Sequence, residues 1–590
     1  MPIDIERVRA WLAEDPDPAT RQQIGQLLER GDENALRELF EEPLSFGTAG
    51  IRGPLGAGPA RFNKALVRRT SAGLARYLRE GLSPAAAAKE LLLPPAWRGV
   101  VPAPPREDAL VVVGHDARHG SEAFAWDAAR ALANAGVRAL HFQSALPTPI
   151  TAFAVRHFGA DAGVMVTASH NPASDNGYKV YLSDGAQVIA PHDAAISEAA
   201  ERARVPQDRD IAGPFAKKPY EVDEAELLGA YFRCMTGLVG QGGPRQLRSV
   251  YSPLHGVGGA VLPKLMEQAG FEPPTVVPEQ ARPDPGFPTT AFPNPEEPGV
   301  MDLPLRTAAQ EAADLVLVND PDADRLAVAA RLGSGELRVL SGDELGVLIA
   351  DHLISSSRGP GRLVATTVAS STMLAKVASQ AGVAYAETLT GFKWLARAAR
   401  LRPGCRLLFG YEEALGYAVH EAVADKDGLS AALVVAEMAA MAKAEGRTLF
   451  SKLDELQSRY GVHLTSQWSL RAQGRGADGI RALAGLVARW RSDPPMRLGR
   501  FSLARARDLS SGEGDLPPAE VLVLELSEGG RVVLRPSGTE PKLKLYFEVA
   551  AEPCRDDQLR EARSRAQRQL EGLVQAVVAL AQAELPASTR

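Results

Sequence analysis

The chain has few cysteines and no long apolar run. Three cysteines in 590 residues (Cys234, Cys405 and Cys554) stand without paired spacing, which supports neither a disulfide framework nor a zinc site. No apolar stretch approaches the length of about 18 residues that a membrane-spanning helix needs. A net charge of −6 gives no general attraction to nucleic acid or anionic lipid. Since the N-terminus also lacks the apolar core of a signal peptide, we expect a cytoplasmic protein without nucleic-acid or membrane partners.

Lysine is also scarce, because only 13 of the 66 basic residues are Lys and the rest are Arg. A buried Lys can lose its proton, whereas Arg effectively cannot, so Lys is the cation that proton transfer can use. Three of these lysines stand in polar motifs, at Lys179, Lys393 and Lys426. We therefore treat them as candidate site residues.

Length and hydrophobic patterning predict several α/β domains. Residues 1–42 and about 63–80 have helical spacing of apolar positions. From residue 109 onwards, short buried strands alternate with amphipathic helices in three blocks, and polar loops follow strands in each block. Residues 461–590 differ, with a helix, three strands and a long final helix that indicate a separate α+β domain. We predict domains at 1–214, 215–334, 335–460 and 461–590.

A polar Thr-Ala-Ser-His-Asn-Pro loop follows the apolar run that begins at residue 162. Ser169 in this loop is either an exposed nucleophile or phosphate carrier, or part of an ordinary polar turn. A Ser–His hydrolase fits poorly, because the adjacent side chains of Ser169 and His170 diverge and no G-x-S-x-G elbow is present. Lys179, ten residues downstream, favours the phosphate carrier.

A second polar loop contains Asp320, Asp322 and Asp324 after the apolar run Leu-Val-Leu-Val. Three carboxylates at alternate positions repel one another unless a cation lies between them, and such hard oxygen ligands suit Mg²⁺. An EF-hand is excluded, because Arg325 stands where that loop needs Gly and Arg331 where it needs Glu. A solvated acidic turn is the alternative.

The segment 316–322 is also similar to the strand and D-x-D nucleophile of aspartyl-phosphate phosphatases. Those enzymes normally have Thr or Val where Asp324 stands, and their motif lies near the N-terminus. The two hypotheses differ in where covalent phosphate resides, on Ser169 or on Asp320.

A third loop, Arg-Pro-Ser-Gly-Thr-Glu-Pro-Lys, begins at residue 535. Arg535, Ser537, the backbone of Gly538 and Thr539 offer converging donors that can hold a phosphate dianion. Ser-Gly-Thr is also a common turn, so this loop alone is a moderate signal.

A fourth loop, Gly-Tyr-Glu-Glu-Ala-Leu-Gly-Tyr, contains Glu412 and Glu413 after a strand. Two acids at this place suit hydroxyl recognition on a sugar, and a simple acidic turn is the alternative. Thr48 and Arg52, in a Gly-rich loop, complete the candidates. Phosphoryl transfer to and from a sugar phosphate uses every one of these features.

The three motifs T-A-S-H-N-P, D-x-D-x-D-R and R-P-S-G-T-E-P resemble those of the α-D-phosphohexomutase superfamily in type, order and spacing. The motifs F-G-T-A-G-I-R-G, T-G-F-K-W and D-K-D-G make the chain similar to the phosphoglucomutase/phosphopentomutase branch. The resemblance covers nearly the whole chain. It implies three similar α/β/α domains with mixed sheets plus a C-terminal α+β domain of the TATA-binding-protein-like type, each lending a loop to a central cleft.

The resemblance also implies a role for each matching residue. Ser169 matches the phosphoserine, whose phosphate completes the Mg²⁺ shell, and the metal ligands correspond to Asp320, Asp322 and Asp324. Lys179 matches the general acid/base, His170 matches a neighbour of the phosphoserine, and the active-site arginines correspond to Arg52 and Arg325. Glu412 matches the sugar-binding acid, and the phosphate clamp corresponds to Arg535, Ser537, Gly538 and Thr539. Thr48, Lys393 and Lys426 are further substrate-binding candidates. Ala414 stands where many members have Ser, so strict hexose discrimination is in doubt.

The implied enzyme is a phosphosugar mutase that interconverts glucose 1-phosphate and glucose 6-phosphate through a phosphoserine and a bisphosphate intermediate. Phosphopentomutase or phosphomannomutase activity is the alternative. Its implied cofactors are Mg²⁺ and a sugar bisphosphate activator, glucose 1,6-bisphosphate. The expected partners are small sugar phosphates, and the expected state is a monomer or homodimer.

Overall fold

The computed structural model describes residues 3–45, 50–99, 106, 108–213, 216–472, 477–537 and 542–586. Three mixed sheets and one antiparallel sheet follow one another along the chain. Within the described residues, no helix combines the length and apolarity that crossing a bilayer requires.

The first sheet is preceded by three helices. The helices up to residue 211 are α1 (Ile5–Glu14), α2 (Pro18–Arg30), α3 (Glu33–Phe40), α4 (Lys64–Glu80), α5 (Pro84–Glu90), α6 (Ser121–Asn134), α7 (Thr148–His157), α8 (His192–Glu201) and α9 (Asp208–Ile211). The strands are β1 (Ile51–Pro54), β2 (Leu110–His115), β3 (Arg138–His141), β4 (Ala162–Val166), β5 (Asp175–Leu182) and β6 (Tyr220–Glu221). They are ordered β1-β5-β4-β2-β3-β6, with β2 parallel to β3 and β4, and β5 antiparallel to β4.

The second sheet has the same arrangement, with three neighbouring parallel strands followed by antiparallel ones. Its elements are α10 (Glu224–Thr236), β7 (Ser249–Ser252), α11 (Leu262–Gln268), β8 (Thr275–Val276), α12 (Asp302–Gln310), β9 (Leu315–Val318), β10 (Ala327–Arg331) and β11 (Leu337–Val339). The strand order is β11-β10-β9-β7-β8, in which β7 is parallel to β8 and β9, and β10 is antiparallel to β9.

The third sheet repeats the arrangement with four strands. Its elements are α13 (Gly342–Ser356), β12 (Arg362–Thr367), α14 (Met373–Gln380), β13 (Ala384–Thr388), α15 (Phe392–Leu395), β14 (Arg406–Glu412), β15 (Gly416–Ala418), α16 (Gly428–Ala444) and α17 (Leu449–Tyr460). The order is β13-β12-β14-β15, with β12 parallel to both neighbours and β15 antiparallel to β14.

The fourth sheet is antiparallel throughout. Its elements are β16 (His463–Arg471), α18 (Ala477–Ser492), β17 (Arg497–Leu498), β18 (Phe501–Asp508), β19 (Leu522–Leu526), β20 (Gly530–Pro536), β21 (Lys542–Ala550) and α19 (Leu559–Glu584). The strand order is β16-β21-β20-β19-β18-β17, and the two helices share one hydrophobic cluster with the sheet. The sequence predicted only three of these strands.

The predicted fold class is confirmed by these sheets. The limits near 214, 334 and 460 remain predictions, and β6, at residues 220–221, pairs with the first sheet. Core side chains of the first three sheets belong to shared hydrophobic clusters, so these parts pack tightly against one another.

Each mixed sheet has the same hairpin at the carboxyl end of a parallel strand. The polar loops lie between β4 and β5, between β9 and β10, and between β14 and β15. Each loop contains a non-glycine residue in the left-handed region, namely Ser169 (φ 56°), Ala323 (φ 56°) and Leu415 (φ 62°). Such strained residues persist only where the surroundings hold them, and they are frequent at functional sites.

Candidate active site

The loop that follows β4 and carries Ser169 is called the serine loop here. It contacts the acidic loop, which follows β9 of the second sheet and carries Asp320, Asp322 and Asp324. The hydroxyl of Ser169 donates to Oδ2 of Asp320 over 2.9 Å and lies 3.1 Å from Nδ1 of His170. Ser169 is only 2% exposed. The exposure that the sequence suggested for this serine is therefore wrong, because the acidic loop covers it.

The acidic loop is almost completely buried. Asp320, Asp322 and Asp324 are at most 1% exposed, and each offers a carboxylate oxygen within 4.8 Å of the other two. Oδ1 of Asp322 and Oδ1 of Asp324 are buried without a hydrogen-bond partner among the described residues. Because a buried oxygen without a partner is costly, these donor atoms fit a divalent cation with oxygen ligands, such as Mg²⁺.

Two lysines provide positive charge to the acidic loop. Nζ of Lys179 lies 2.7 Å from Asp322 and 3.0 Å from Asp324, and Nζ of Lys426 lies 3.3 Å from Asp324. These ion pairs give the acidic loop counter-charges besides Arg325. Sequence spacing gives no sign of these pairs, because Lys179 lies on β5 of the first sheet and Lys426 in the loop before α16.

The lysines divide the three carboxylates electrostatically. Burial and the charges of Asp322 and Asp324 raise the pKa of Asp320 well above its ordinary value. Burial would also raise the pKa of Asp322 and of Asp324. At Asp322 the charge and hydrogen bond of Lys179, with the hydrogen bond of Thr148, together lower the pKa, and at Asp324 the charges of Lys179, Lys426 and Arg325 together do so. Burial would lower the pKa of Lys179, but the two carboxylates raise it. Lys179 therefore keeps its proton in this arrangement.

His170 has the opposite character. Burial lowers its pKa well below the ordinary value, and the positive charges of Arg325 and Arg52 add to this effect. The imidazole is consequently neutral at physiological pH and can accept a proton beside Ser169 Oγ.

Two arginines lie near Ser169 and the acidic loop. Nε of Arg52, on β1, and Nε of Arg325 are buried without a hydrogen-bond acceptor within the described part of the chain. Arg325 also forms an ion pair of 3.2 Å with Glu296. Free guanidinium donors beside a serine and a cation site suit a phosphate group.

The hairpin between β14 and β15, which carries Glu412 and Ala414, lies against the acidic loop. Arg325 forms an isolated β-bridge with Gly416, and Leu415 accepts a backbone hydrogen bond of 3.0 Å from the residue after Arg325. The carboxylate of Glu412 accepts a hydrogen bond of 2.6 Å from the backbone N–H of Gly391, and burial raises the pKa of Glu412. Ala414 is half-buried in the same hairpin.

Lys426 contacts this hairpin at Gly416, and Lys393 is two residues after Gly391, which donates to Glu412. The ammonium of Lys426 is 5.3 Å from the ring centre of Phe392. Although burial would lower the pKa of Lys426, the charges of Asp324, Asp425 and Glu412 together outweigh it and raise the pKa, so this lysine is charged. Burial lowers the pKa of Lys393, and the nearby charge of Arg535 contributes.

Two of the phosphate-clamp candidates, Arg535 and Ser537, lie on or directly after β20 of the fourth sheet. Arg535 is on β20, where it pairs in register with Lys544 and hydrogen bonds with the hydroxyl of Tyr546. The backbone N–H of Ser537 donates to Lys542 over 2.8 Å. Gly538, Thr539 and Thr48 lie outside the described residues.

The structure adds three residues to the site that no sequence motif had indicated. Thr148, at the first position of α7, donates 2.7 Å to Asp322. Glu296 joins Arg325 to Gln467 of the fourth sheet, at 3.2 and 3.4 Å respectively. Lys544 lies near Glu413 and Arg535, and its pKa is lowered mainly by burial. Only Lys544 carried a signal, the scarcity of lysine.

Comparisons with known proteins match the chain along most of its length. The phosphoglucomutase/phosphomannomutase family models match alpha/beta/alpha domain I at residues 99–206, domain II at 230–333, domain III at 341–460 and the C-terminal domain at 519–566. The chain is 37% identical to a phosphopentomutase from Mus musculus, covering 93% of this chain and 90% of that protein. It is 33% identical to a glucose 1,6-bisphosphate synthase from Homo sapiens, with the same two coverages.

A solved structure supports the fold alone. The phosphoglucomutase/phosphomannomutase family protein from Burkholderia thailandensis matches with a TM-score of 0.63 at 20% identity, covering 89% of this chain and 97% of that one.

The protein is an enzyme of the phosphosugar mutase class. This follows from the four matched domains, three of which carry the same hairpin loop, and from the similarity to known mutases. The chain belongs to the phosphoglucomutase/phosphomannomutase family, within the α-D-phosphohexomutase superfamily. Membership removes the aspartyl-phosphate phosphatase alternative.

Proposed function

We propose that this enzyme interconverts glucose 1-phosphate and glucose 6-phosphate through phosphorylated Ser169 and a glucose 1,6-bisphosphate intermediate. The observation that carries the proposal is the 2.9 Å hydrogen bond from Ser169 Oγ to Asp320. It brings the serine hydroxyl against the acidic loop, where a phosphoryl group would lie close to a cation held by the three carboxylates.

The residues present fit Mg²⁺, and Asp320, Asp322 and Asp324 would hold it. Bound there, it would offset negative charge on the transferring phosphoryl group. Arg52 and Arg325, whose Nε atoms have no acceptor in the described part of the chain, would contribute to the same end.

Substrate binding begins at the opposite side of the cleft. The phosphate of glucose 1-phosphate would be held by Arg535 and Ser537, with Gly538 and Thr539 as the further predicted members of the clamp. Glu412 would accept hydrogen bonds from sugar hydroxyls, and Lys393 and Lys426 would lie close to the sugar and its phosphate. The 6-hydroxyl then faces phosphorylated Ser169.

In the first transfer, the 6-hydroxyl oxygen forms a bond to phosphorus while the bond from phosphorus to Ser169 Oγ breaks. The hydroxyl loses one proton and the departing Oγ gains one. We propose Lys179 and His170, whose Nδ1 lies 3.1 Å from Ser169 Oγ, as the groups that exchange these protons. The bisphosphate then turns within the cleft, and its 1-phosphate is returned to Ser169 by the reverse step.

Phosphopentomutase activity is a second candidate, favoured by Ala414 and by the similarity to the mouse phosphopentomutase. A Ser at position 414 would add a hydroxyl contact to a hexose, and its absence reduces discrimination between ring sizes. The clamp would bind the phosphate group, which hexose and pentose phosphates share, so its contribution to substrate binding does not depend on ring size. We therefore propose appreciable activity on ribose or deoxyribose 1-phosphate as well. A bisphosphate activator primes Ser169, and the expected monomer or homodimer acts in the cytoplasm.

The experiment that tests the proposed function locates the covalent phosphate. Phosphopeptide mapping of the purified protein should find part of Ser169 phosphorylated, and Ser169→Ala should abolish mutase turnover while leaving the melting temperature nearly unchanged. Ser174→Ala, in the same loop, is the matched control and should retain turnover. Phosphate on another residue, together with a fully active Ser169→Ala enzyme, would reject the mechanism.

A coupled assay identifies the substrate. Rates with glucose, mannose, ribose and deoxyribose 1-phosphates, each measured with saturating bisphosphate activator, give the ratios of kcat/KM. Comparable values for glucose and a pentose agree with the proposal. An enzyme inert towards all four sugars would contradict it.

A further inference from the structure

A buried arginine lies beneath the serine loop, outside every motif described above. Arg118 follows β2 and is 4% exposed. Its guanidinium donates to the carbonyl oxygens of Ser169 and Asn171, each over 2.6 Å, and of Pro172 over 2.8 Å. A fourth bond of 3.2 Å reaches the carbonyl of Asp175. One side chain thus holds most of the loop.

Arg118 is itself fixed from two sides. Its Nε lies 3.4 Å from the carboxylate of Asp116, and its guanidinium carbon lies 4.9 Å from the ring centre of Phe287, in the second domain. Asp116 also accepts a 2.6 Å hydrogen bond from the hydroxyl of Thr167. The hydroxyl oxygen of Thr167 in turn accepts 2.8 Å from the backbone N–H of Ser169.

Both backbone polar groups of Ser169 are therefore held, the N–H through Thr167 and the carbonyl by Arg118. The φ of 56° at Ser169 lies in the left-handed region, which L-residues disfavour. In this conformation Ser169 Oγ points at Asp320 of the second sheet. Since an unsupported loop would relax from such a conformation, the hydrogen bonds of Arg118 have a specific geometric role.

We infer that Arg118 is a positioning residue, which holds the backbone of Ser169 so that the phosphorylated side chain meets the acidic loop and the substrate hydroxyl. The inference rests on the proposed function, because it assigns Ser169 the phosphoryl group. Arg118 acts through backbone carbonyls, and its role depends on the planar array of guanidinium donors. The ammonium of Lys has three donors on one atom and cannot span the same four carbonyls.

The test compares Arg118→Lys and Arg118→Met with Arg68→Met. Arg68 is a matched control, because it is also 4% exposed, lies in the same domain and forms ion pairs with Asp127 and Asp208 away from the loop. We expect both Arg118 variants to lose about a hundredfold in kcat, since a displacement of about 1 Å at a reacting group has this effect. The KM for glucose 1-phosphate should change by less than about threefold, because the clamp is intact. Arg68→Met should retain kcat even if its melting temperature falls equally.

A second variant protects the test against misfolding of Arg118→Met. Thr167→Val removes the acceptor for the Ser169 N–H with little change of shape, and it should lower kcat and the phosphorylated fraction of Ser169 in the same way. Full kcat in both Arg118→Lys and Thr167→Val would overturn the inference. A loss of kcat equal to that of Arg68→Met at equal melting temperature would also overturn it. Wild-type protein without phosphate on Ser169, with an active Ser169→Ala variant, would overturn the proposed function itself.

Discussion

Asp320 is the carboxylate of the acidic loop whose negative charge the lysines compensate least. Lys179 contacts Asp322 and Asp324, whereas Asp320 accepts from the hydroxyl of Ser169 and the backbone N–H of Arg325. Burial and the two neighbouring carboxylates therefore raise the pKa of Asp320 in the metal-free protein. Mg²⁺ needs the ionised carboxylate, so its binding must displace a proton from this residue.

Mg²⁺ affinity should consequently rise as the pH rises above the range in which an ordinary Asp ionises, with proton release on binding. The metal-free stability should change in the opposite direction. A raised folded-state pKa gives stability that is present below the unfolded value of about 4 and is lost as the pH rises through the folded value. Calorimetric titration in two buffers of different ionisation enthalpy measures the released protons.

Two variants make the pH prediction specific to Asp320. Asp320→Asn should bind Mg²⁺ more weakly and without the pH dependence. Asp343→Asn is the control, because Asp343 is also buried with a raised pKa, caused by burial, but lies outside the acidic loop. A pH-independent Mg²⁺ affinity in the parent protein would contradict the assignment.

Ala414 determines the second prediction at this scale. Ala414→Ser should shift the ratio of kcat/KM values towards glucose 1-phosphate and away from ribose 1-phosphate by about tenfold to a hundredfold, because one added hydroxyl contact is worth roughly 1–3 kcal/mol. Ala399→Ser, at another half-buried alanine of the third domain, is the control and should leave the ratio unchanged. If the parent enzyme is already inert towards pentose phosphates, our interpretation of Ala414 is wrong.

Among the secondary-structure elements, the three hairpins show how far the sequence can predict this site. An apolar run followed by a polar loop predicts that the loops after β4, β9 and β14 lie at the carboxyl ends of strands, and they do. Residue types alone also indicated the candidate cation site, and the structure brings its three carboxylates together. The left-handed conformations of Ser169, Ala323 and Leu415 could not be predicted, because none is a glycine and the strain is sustained by tertiary hydrogen bonds.

Helix α16 begins at the loop that carries Lys426. Asp427 caps it by accepting from the backbone N–H groups of Leu429 and Ser430, at 3.0 and 3.2 Å. The same carboxylate accepts 2.8 Å from the hydroxyl of Tyr231 on α10. This cap therefore fixes both the start of a buried helix and the backbone beside Lys426.

Asp427→Ala should lower the free energy of unfolding by about 2–4 kcal/mol, because it removes a cap worth about 1–2 kcal/mol and leaves the buried Tyr231 hydroxyl without its acceptor. Asp427→Asn keeps a capping oxygen and should cost less. Tyr231→Phe separates the second contribution, at about 1 kcal/mol. Urea unfolding followed by circular dichroism measures all three. An alanine variant as stable as the parent would show that the helix start is held by other contacts.

At the scale of the whole molecule, the parts of the site that the sequence could not predict are those formed between domains. Lys179 meets Asp322 and Asp324 across 143 and 145 residues of chain, and Gln467 meets Glu296 across 171. No local pattern encodes such pairs. The position of the clamp candidate Arg535 on β20 similarly depends on how the fourth domain is held against the others, and one contact that holds it comes from a residue outside the sequence motifs.

Trp97 provides that contact. It is 1% exposed, packs edge-to-face on Trp394 of the third domain with ring centres 4.8 Å apart, and donates 2.6 Å from its indole N–H to the carbonyl of Asp515 in the fourth domain. Trp394 directly follows Lys393, so this single indole joins the first domain to both a substrate-binding candidate and the clamp-bearing domain. Loss of the hydrogen bond should loosen the fourth domain while the aromatic packing is kept.

Trp97→Phe should therefore raise the KM for glucose 1-phosphate by a factor of about two to ten, since one hydrogen bond contributes about 0.5–1.5 kcal/mol to the closed arrangement. Small-angle scattering should show a larger radius of gyration for the substrate-free variant. Trp490→Phe is the matched control, because the indole N–H of Trp490 donates 3.0 Å to Glu584 within the fourth domain and its loss leaves the domain contacts intact. An unchanged KM and radius of gyration in Trp97→Phe, equal to those of Trp490→Phe, would mean that the fourth domain is held against the cleft by its other contacts alone.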